Sequence, residues 1–120
     1  MSEEKYKWLD ATTRLVSLTQ RGKINWTVAD KSLRPPDVTS SEVYISNSTS
    51  QILRLYEANL NSERYKYLPL IQATLEIIDP NGTTIRRFPY NEAVGDLFEV
   101  VQGQSASVNK LLAELEAMTS

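Results

Sequence analysis

The pattern of hydrophobic and polar positions predicts a helix at the start of the chain. Between Glu3 and Arg21, apolar side chains recur at spacings of three and four residues, and charged side chains occupy most of the remaining positions. This spacing gives a helix one apolar face. Ser2 is a suitable N-cap, and Gly22 supplies a left-handed stop. We therefore predict an amphipathic helix from about Glu3 to about Arg21.

The period changes to two after Gly22, and this change predicts the first strand. Ile24, Trp26 and Val28 alternate with polar residues, as in a strand with one buried face. Residues 30–41 follow, with two adjacent prolines and few apolar side chains. This composition predicts a long irregular loop.

Four further β-prone runs predict two antiparallel hairpins. The runs 43–45 and 52–56 flank a polar tetrapeptide, and the runs 70–78 and 83–88 flank the sequence Asp-Pro-Asn-Gly. In that sequence proline presets the second position of a tight turn, and glycine accepts a positive φ. A polar connection over 59–69 joins the two hairpins.

Helical spacing returns after Asn91 and continues to the end of the chain. Apolar residues between 94 and 115 keep a four-three rhythm through Gly103. This rhythm predicts one long C-terminal helix, with a bend or a break near Gly103 as the alternative. The element order predicts a single α+β domain over residues 1–120: a helix, about five strands in an antiparallel curled sheet, and a helix. Both helices would cover one face of that sheet.

The amino-acid composition removes most reaction chemistry. The 120 residues contain no histidine and no cysteine, which excludes Ser-His triads, thiol nucleophiles and zinc sites built from His and Cys. No carboxylate pair has a spacing that predicts an acid/base couple or a Mg²⁺ site. We therefore expect a non-enzymatic protein with no catalytic residue, no metal site and no cofactor. An enzyme that works through carboxylates ranks third among three function hypotheses, after the two that are given below.

Charge and hydropathy limit the class of partner. Thirteen basic and fifteen acidic residues give a net charge of −2, so no overall field attracts phosphate backbones or anionic membranes. We expect no nucleic-acid partner. No apolar run approaches the roughly 18 residues of a membrane span, and the residues after Met1 do not form a secretory signal. We expect a cytoplasmic protein with no membrane contact.

Four segments carry a combination of short motifs that spans most of the chain. They are Thr19-Gln20-Arg21-Gly22-Lys23-Ile24-Asn25-Trp26, Leu53-Arg54-Leu55-Tyr56-Glu57, 75–82 with Phe88-Pro89, and Asp96-Leu97-Phe98-Glu99-Val100-Val101. The combination resembles a group of short uncharacterised bacterial proteins, often cyanobacterial. The resemblance implies a compact α+β domain in a bacterial cytoplasm. It brings no catalytic residue, cofactor or partner.

The C-terminal helix provides the first function hypothesis. Leu97, Leu111, Leu112, Leu115 and Met118 form an apolar stripe that is broader than one small sheet covers. An exposed stripe would make the chain an interaction or accessory module that binds a protein partner, or itself as a homodimer, through this helix and a sheet edge. The alternative is burial of the stripe against the first helix and the sheet, and the pattern supports both interpretations equally.

Arginines beside aromatic residues provide the second function hypothesis. Strand alternation would place Arg54 and Arg86 on one sheet face, flanked by Tyr56 and Phe88, with Arg87 beside them. Guanidinium groups in such a setting bind phosphate or carboxylate. The chain would then bind or sequester a small anionic ligand through Arg54, Tyr56, Arg86 and Arg87. The simpler interpretation is that these arginines are solvated strand residues paired with Glu57, Glu76 or Glu99.

Overall fold

Two helices and five antiparallel strands make up the described part of the chain. The computed structural model describes the backbone of residues 2–35, 42–59 and 71–119, and the side chains of these residues except 2–5, 59 and 106–109. The helices are α1 (Ser2–Gln20) and α2 (Glu92–Thr119), and a short 3-10 helix covers Lys31–Leu33. The strands are β1 (Thr27–Val28), β2 (Tyr44–Ser46), β3 (Ile52–Asn59), β4 (Ile71–Ile78) and β5 (Thr84–Arg87). The predicted α+β class is confirmed.

The strands form one open sheet in which each strand pairs with its neighbours in sequence. The spatial order is β1-β2-β3-β4-β5, and every pair is antiparallel. Strands β3 and β4 are the longest and lie in the centre, where Leu55 is opposite Leu75. Both predicted hairpins are therefore present. The register of β3 against β4 fixes which side chains of the two central strands share a face.

Both helices pack on the same face of the sheet. The core on that face combines buried residues of the central strands with the first half of α2, and half-buried residues of α1 complete it. Its buried members are Tyr44, Leu53, Leu55, Leu75, Phe88, Val94, Leu97, Phe98 and Val101, and the partly buried ones include Trp8, Leu15, Val16, Ala73 and Ile77. The prediction of a helix-covered sheet is confirmed.

The two helices lie side by side and point the same way. Near their N-terminal ends, the ring of Trp8 in α1 meets Phe88, just before α2, with centroids 4.6 Å apart. Near the other end of α1, the side-chain amide of Gln104 donates to the carbonyl of Thr19 at 3.0 Å. Helix α1 thus ends at the level of Gln104, while α2 continues to Thr119. The remainder of α2 extends about 22 Å beyond this level.

Helix α2 is continuous through Gly103, so the structure agrees with one long helix rather than two. We call the sheet, α1 and residues 92–105 the body, and residues 110–119 the arm. Every residue of the arm is exposed. The helix therefore has two halves with different surroundings, although its apolar rhythm is the same throughout.

The first strand is shorter than predicted. Alternation over residues 24–28 predicts three core residues, and Ile24 is buried and Trp26 half-buried, but Val28 is 52% exposed. Only Thr27 and Val28 pair with β2, at the edge of the sheet, where no helix covers them. Of the predicted loop 30–41, residues 36–41 lie outside the described residues, as does the connection 59–69 apart from Asn59.

The second hairpin turns at residues 79–82, as predicted. The side chain of Asp79 accepts hydrogen bonds from two backbone N–H groups of the turn, at 2.9 and 3.0 Å. The N–H of Gly82 donates to the carbonyl of Asp79 at 3.0 Å, and Gly82 has a φ of +89°. A Cβ atom at this position would lie 3.2 Å from Cδ2 of Leu33. Glycine is thus favoured by both its conformation and its close neighbour.

Replacement of Gly82 by alanine should destabilise the protein more than replacement of Gly22. Both glycines have positive φ, +89° and +74°, where another residue costs about 1–2 kcal/mol. Only at residue 82 would the new methyl group also crowd Leu33; nothing lies within 4 Å at residue 22. We expect an additional loss of about 1 kcal/mol for Gly82→Ala in urea unfolding. Equal losses would mean that the segment containing Leu33 does not pack on the turn.

Candidate functional site

A buried ion pair lies on the sheet face opposite the helices. Arg54 of β3 is directly opposite Glu76 of β4. Arg54 Nε donates to Glu76 Oε1 at 2.9 Å, and Arg54 Nη2 lies 2.8 Å from the same oxygen. Arg54 is 3% exposed and Glu76 is fully buried. Charges removed from water to this degree are tolerated only when they are paired and hydrogen-bonded.

The remaining donor groups of Arg54 bind two backbone carbonyls and the hydroxyl of Thr84. Arg54 Nη1 donates to the carbonyl of Leu33 at 3.0 Å and to that of Gly82 at 2.9 Å. Nη2 donates to Thr84 Oγ1 at 2.9 Å. One guanidinium therefore joins β3 to β4, to β5, to the β4–β5 turn and to the short 3-10 helix. Each of its nitrogens has an acceptor within the protein.

A second arginine also binds the carboxylate of Glu76. Arg87 of β5 is opposite Glu76 and donates to its Oε2 from Nε at 3.1 Å and from Nη2 at 2.9 Å. Thr84 Oγ1 donates to the same oxygen at 3.2 Å. Hydrogen bonding to Glu76 raises the pKa of Arg87 above its ordinary value. We call Arg54, Tyr56, Glu76, Thr84 and Arg87 the arginine cluster.

Tyr56 shields the cluster from one side. The guanidinium carbon of Arg54 lies 5.8 Å from the centroid of the Tyr56 ring, within the range of a cation–π contact. Burial, followed by the charge of Glu76, raises the pKa of Tyr56 to about 12. Tyr56 also packs with Val43 and Ala58 in a small second core on this face. The described residues contain no buried side-chain nitrogen or oxygen that lacks a partner, so the cluster is internally satisfied.

The prediction that Arg54 and Arg86 share a face is wrong. Arg54, Glu76 and Arg87 form one cross-strand row, whereas Arg86 is opposite Ile77. Ile77 belongs to the helix-covered face, and the guanidinium of Arg86 lies 5.2 Å from the ring centroid of Trp8 in α1. The four residues of the predicted anion site are thus divided between the two faces of the sheet.

Of the glutamates that the simpler interpretation offers as partners, Glu76 binds both Arg54 and Arg87. That interpretation is wrong in treating Arg54 as solvated, because Arg54 is buried. One signal was present in the sequence. Arg54 and Glu76 each interrupt a run of apolar residues in a central strand, and opposite charges in two such runs are expected to pair across the strands.

The arm of α2 is the second candidate site. Leu111, Leu112, Leu115 and Met118 are 54%, 53%, 47% and 80% exposed. These are four of the five predicted interface residues. The prediction is wrong for Leu97, which is fully buried in the core because it lies on the half of α2 that the sheet covers. The stripe therefore changes from core to surface along one helix.

The sheet edge offers less to a partner than the arm does. In the described part of the chain, β5 has no strand on its outer side, and all four of its residues are exposed. Arg86 and Arg87 lie on this strand, and its pairing with β4 is irregular between Ile77 and Ile78. Charged side chains and bulges are common devices against edge-to-edge pairing.

An open cavity of about 330 Å³ lies where β4 and the end of β5 meet. Its lining consists of Gln72, Ala73, Thr74, Arg87, Phe88, Pro89 and Tyr90. The side chain of Arg87 is 56% exposed, which makes its guanidinium the accessible charge of the arginine cluster. Among the residues that the structure describes, no group of three or more carboxylates is placed to hold a metal ion.

Comparisons with known proteins leave the chain without an assigned family. No protein-family model matches it, and neither the curated proteins nor the solved structures contain a match. The resemblance to uncharacterised bacterial proteins stays a prediction. Within the described ranges, neither helix is long and apolar enough to span a membrane. Function must therefore be argued from the geometry of the arginine cluster and of the arm.

A double-mutant cycle on Arg54 and Glu76 should show strong coupling. Glu76→Leu leaves the buried charge of Arg54 without its carboxylate, which costs about 3–5 kcal/mol, and Arg54→Leu leaves Glu76 with Arg87 as its remaining cation; the double change removes both buried charges. We expect urea unfolding to give a coupling energy of about 2 kcal/mol or more. Where a single leucine variant does not fold, Arg54→Lys and Glu76→Gln replace it in the cycle.

The control for this cycle is the pair Asp10 and Arg14 on α1. These side chains are 64% and 75% exposed, with Arg14 Nε 3.2 Å from Asp10 Oδ1. Exposed pairs of this type contribute about 0.3–0.5 kcal/mol. A coupling energy for Arg54 and Glu76 as small as that of the control would contradict the structural role of the cluster.

Stability should fall between about pH 10 and pH 12. Burial is the main cause that raises the pKa of Tyr44 to about 12, with help from Glu42, whose Oε2 accepts the Tyr44 hydroxyl at 2.6 Å; Tyr56 also rises to about 12. Unfolded tyrosine titrates near about 10. Both tyrosines therefore stabilise the fold fully below pH 10, and this contribution is lost as pH rises through the folded pKa.

Urea unfolding across this pH range tests the two tyrosines. Tyr44→Phe removes one ionisable group from the core, so the variant should lose less stability than the wild type between pH 10 and pH 12. The same slope in both proteins would contradict the raised pKa of Tyr44.

Proposed function

We propose that this chain is a non-enzymatic interaction module and that a protein partner covers the arm of α2. The observation that carries the proposal is the exposure of four large apolar side chains within ten residues, Leu111, Leu112, Leu115 and Met118. Single exposed apolar residues are ordinary, but a contiguous stripe on a projecting helix is a feature of interaction surfaces. An amphipathic helix in an apolar groove is a common mode of protein recognition.

The body does not need the arm for its own core. Among the side chains that the structure describes, the last buried residue of α2 is Val101, and the core beneath it is formed with α1 and the central strands. Gln104 donates to the carbonyl of Thr19 at the end of α1. The apolar residues beyond this point therefore serve no described contact within the body, and a partner accounts for them.

The alternative, a protein that binds a small anionic ligand, has less support. Arg54 is 3% exposed and its nitrogens already bind acceptors within the protein, so a ligand would have to displace those bonds. Arg86 lies on the other face, beside Trp8. What favours this alternative is Arg87, whose half-exposed guanidinium lines the cavity of about 330 Å³.

Replacement of Leu115 by aspartate should remove the partner without unfolding the body. Leu115 is 47% exposed and lies in the middle of the stripe, so the change in unfolding free energy should be within about 0.5 kcal/mol. Native mass spectrometry of the tagged protein, recovered gently from the lysate of its host, should show added protein mass for the wild type. We expect Leu115→Asp to lose that mass.

Ala113→Asp is the matched control. It introduces the same charge into the arm, but helical spacing places Ala113 on the side opposite Leu115, so the added mass should persist. If Leu115→Asp unfolds the body, the stripe is part of the core. If both aspartate variants keep the partner, the arm is not the docking surface. Either result contradicts the proposed function.

A further inference from the structure

We propose that the partner on the arm is a second copy of this chain, which docks as an antiparallel two-fold pair of arms. This inference rests on the proposed function and identifies the occupant of that surface. Three features of the described residues support it: the space beyond the end of α1, the spacing of the leucines, and the distribution of charge between the arm and the end of α1.

The first feature is the space beside the arm, beyond the end of α1. The end of α1 lies at the level of Gln104, and α2 extends about 22 Å past it. Helical spacing places Leu111 and Leu115 on the same side of α2 as the buried Leu97 and Val101. The apolar stripe therefore continues the side of α2 that packs on the body, and in the arm it faces the space beyond the end of α1. A single helix, about 10 Å across, fits such a space.

The second feature is the spacing of the stripe. Leu111 and Leu115 are equally distant from Ala113 in sequence. Consider a two-fold axis that is perpendicular to two antiparallel helices and crosses their leucine-bearing sides at the level of Ala113. This axis brings Leu111 of one copy opposite Leu115 of the other, and the reverse contact follows from symmetry. Leu112 lies close to this axis and meets its own equivalent. The arm is thus complementary to itself without any change in shape.

The third feature is charge. Glu114 and Glu116 flank the apolar stripe on its two sides. Because the two-fold operation keeps each flank on its own side, Glu114 lies beside its equivalent in the second copy, whereas the two Glu116 side chains are about 9 Å apart along the axis. In the antiparallel pair, Glu116 of the second copy arrives about 9 Å along the axis from the level of Gln104. The exposed Arg21 and Lys23 lie at that end of the body, within reach of long side chains.

The basic end of α1 is held in a fixed conformation. The N–H of Lys23 donates to the carbonyl of Leu18 at 2.9 Å, and the N–H of Gly22 donates to the carbonyl of Thr19 at 3.1 Å. Gly22 has the positive φ that this helix ending requires. Arg21 and Lys23 are therefore carried by ordered backbone, and little order has to be created when the acidic arm of a second copy arrives.

The interface would be small. One face of the arm and the end of the body bury less than the roughly 800 Å² per partner of a standard stable interface. We therefore expect a dimer that dissociates in the micromolar range, on the order of 10 μM. Association of this strength depends on concentration and on salt, since Glu116 and Arg21 contribute across a solvated rim.

Sedimentation velocity of the purified full-length chain tests the inference. From about 1 to about 100 μM, the wild type and Ala113→Asp should shift from monomer to dimer, while Leu115→Asp should stay monomeric. A wild type that is monomeric throughout, or a dimer that Leu115→Asp leaves intact, overturns the second copy as the occupant. A monomeric wild type that still carries another polypeptide in native mass spectra leaves the proposed function standing, so the two failures are distinguishable.

A charge exchange tests the antiparallel arrangement. Glu116→Lys and Arg21→Glu should each weaken dimerisation about fivefold or more, because each places like charges together in both halves of the symmetric pair. The double variant restores opposite charges and should recover most of the affinity of the wild type. Additive weakening in the double variant overturns the antiparallel arrangement. Circular dichroism of each variant confirms that the fold is retained.

Discussion

The buried ion pair between Arg54 and Glu76 is the constraint on which the rest of the body depends. Its two charges lie in the central strands, one on β3 and one on β4, directly opposite each other. A shift of one residue in the register would turn one of the two charges towards the helices and separate it from its partner on the other face. The pair therefore fixes the register in which Leu53, Leu55 and Leu75 form an unbroken apolar surface for α1 and α2. The carbonyls bound by Arg54 attach the β4–β5 turn and the segment around Leu33 to the same point.

The buried charges lie on one face of the sheet, and the main apolar core lies on the other. One face carries the arginine cluster and a small second core around Tyr56, and the other carries the main core and both helices. Among the described side chains, the last buried residue of α2 is Val101, and Gln104 still contacts the end of α1. The arm continues the same apolar stripe past that boundary without a covering element in the described residues. Under the proposed function, stability and recognition lie in different parts of one helix, so a substitution in the arm would change recognition and leave the body folded.

The parts of the fold that were predictable from sequence depend on local chemistry. The residues of the Asp-Pro-Asn-Gly turn determine its backbone conformation. The change of period after Gly22 marks the end of α1, and the change after Asn91 marks the start of α2. The partner of the arginines stayed open among Glu57, Glu76 and Glu99, because strand alternation gives the face of Arg54 but not the row that it shares with Glu76 and Arg87. Likewise, Leu97 and Leu115 have the same helical phase. The sheet and α1 together decide that one is buried and the other exposed, because both cover Leu97 and neither reaches Leu115.

Amide hydrogen exchange along the chain is the most direct test of the account, in which a closed body presents an arm that a partner covers. The comparison is between wild type and Leu115→Asp at high protein concentration, with exchange resolved by residue. The account predicts slow exchange in β3 and β4 in both proteins, and slower exchange over residues 110–119 in the wild type than in the variant. Equal exchange over 110–119 in the two proteins would contradict it, because the arm would then be uncovered in both.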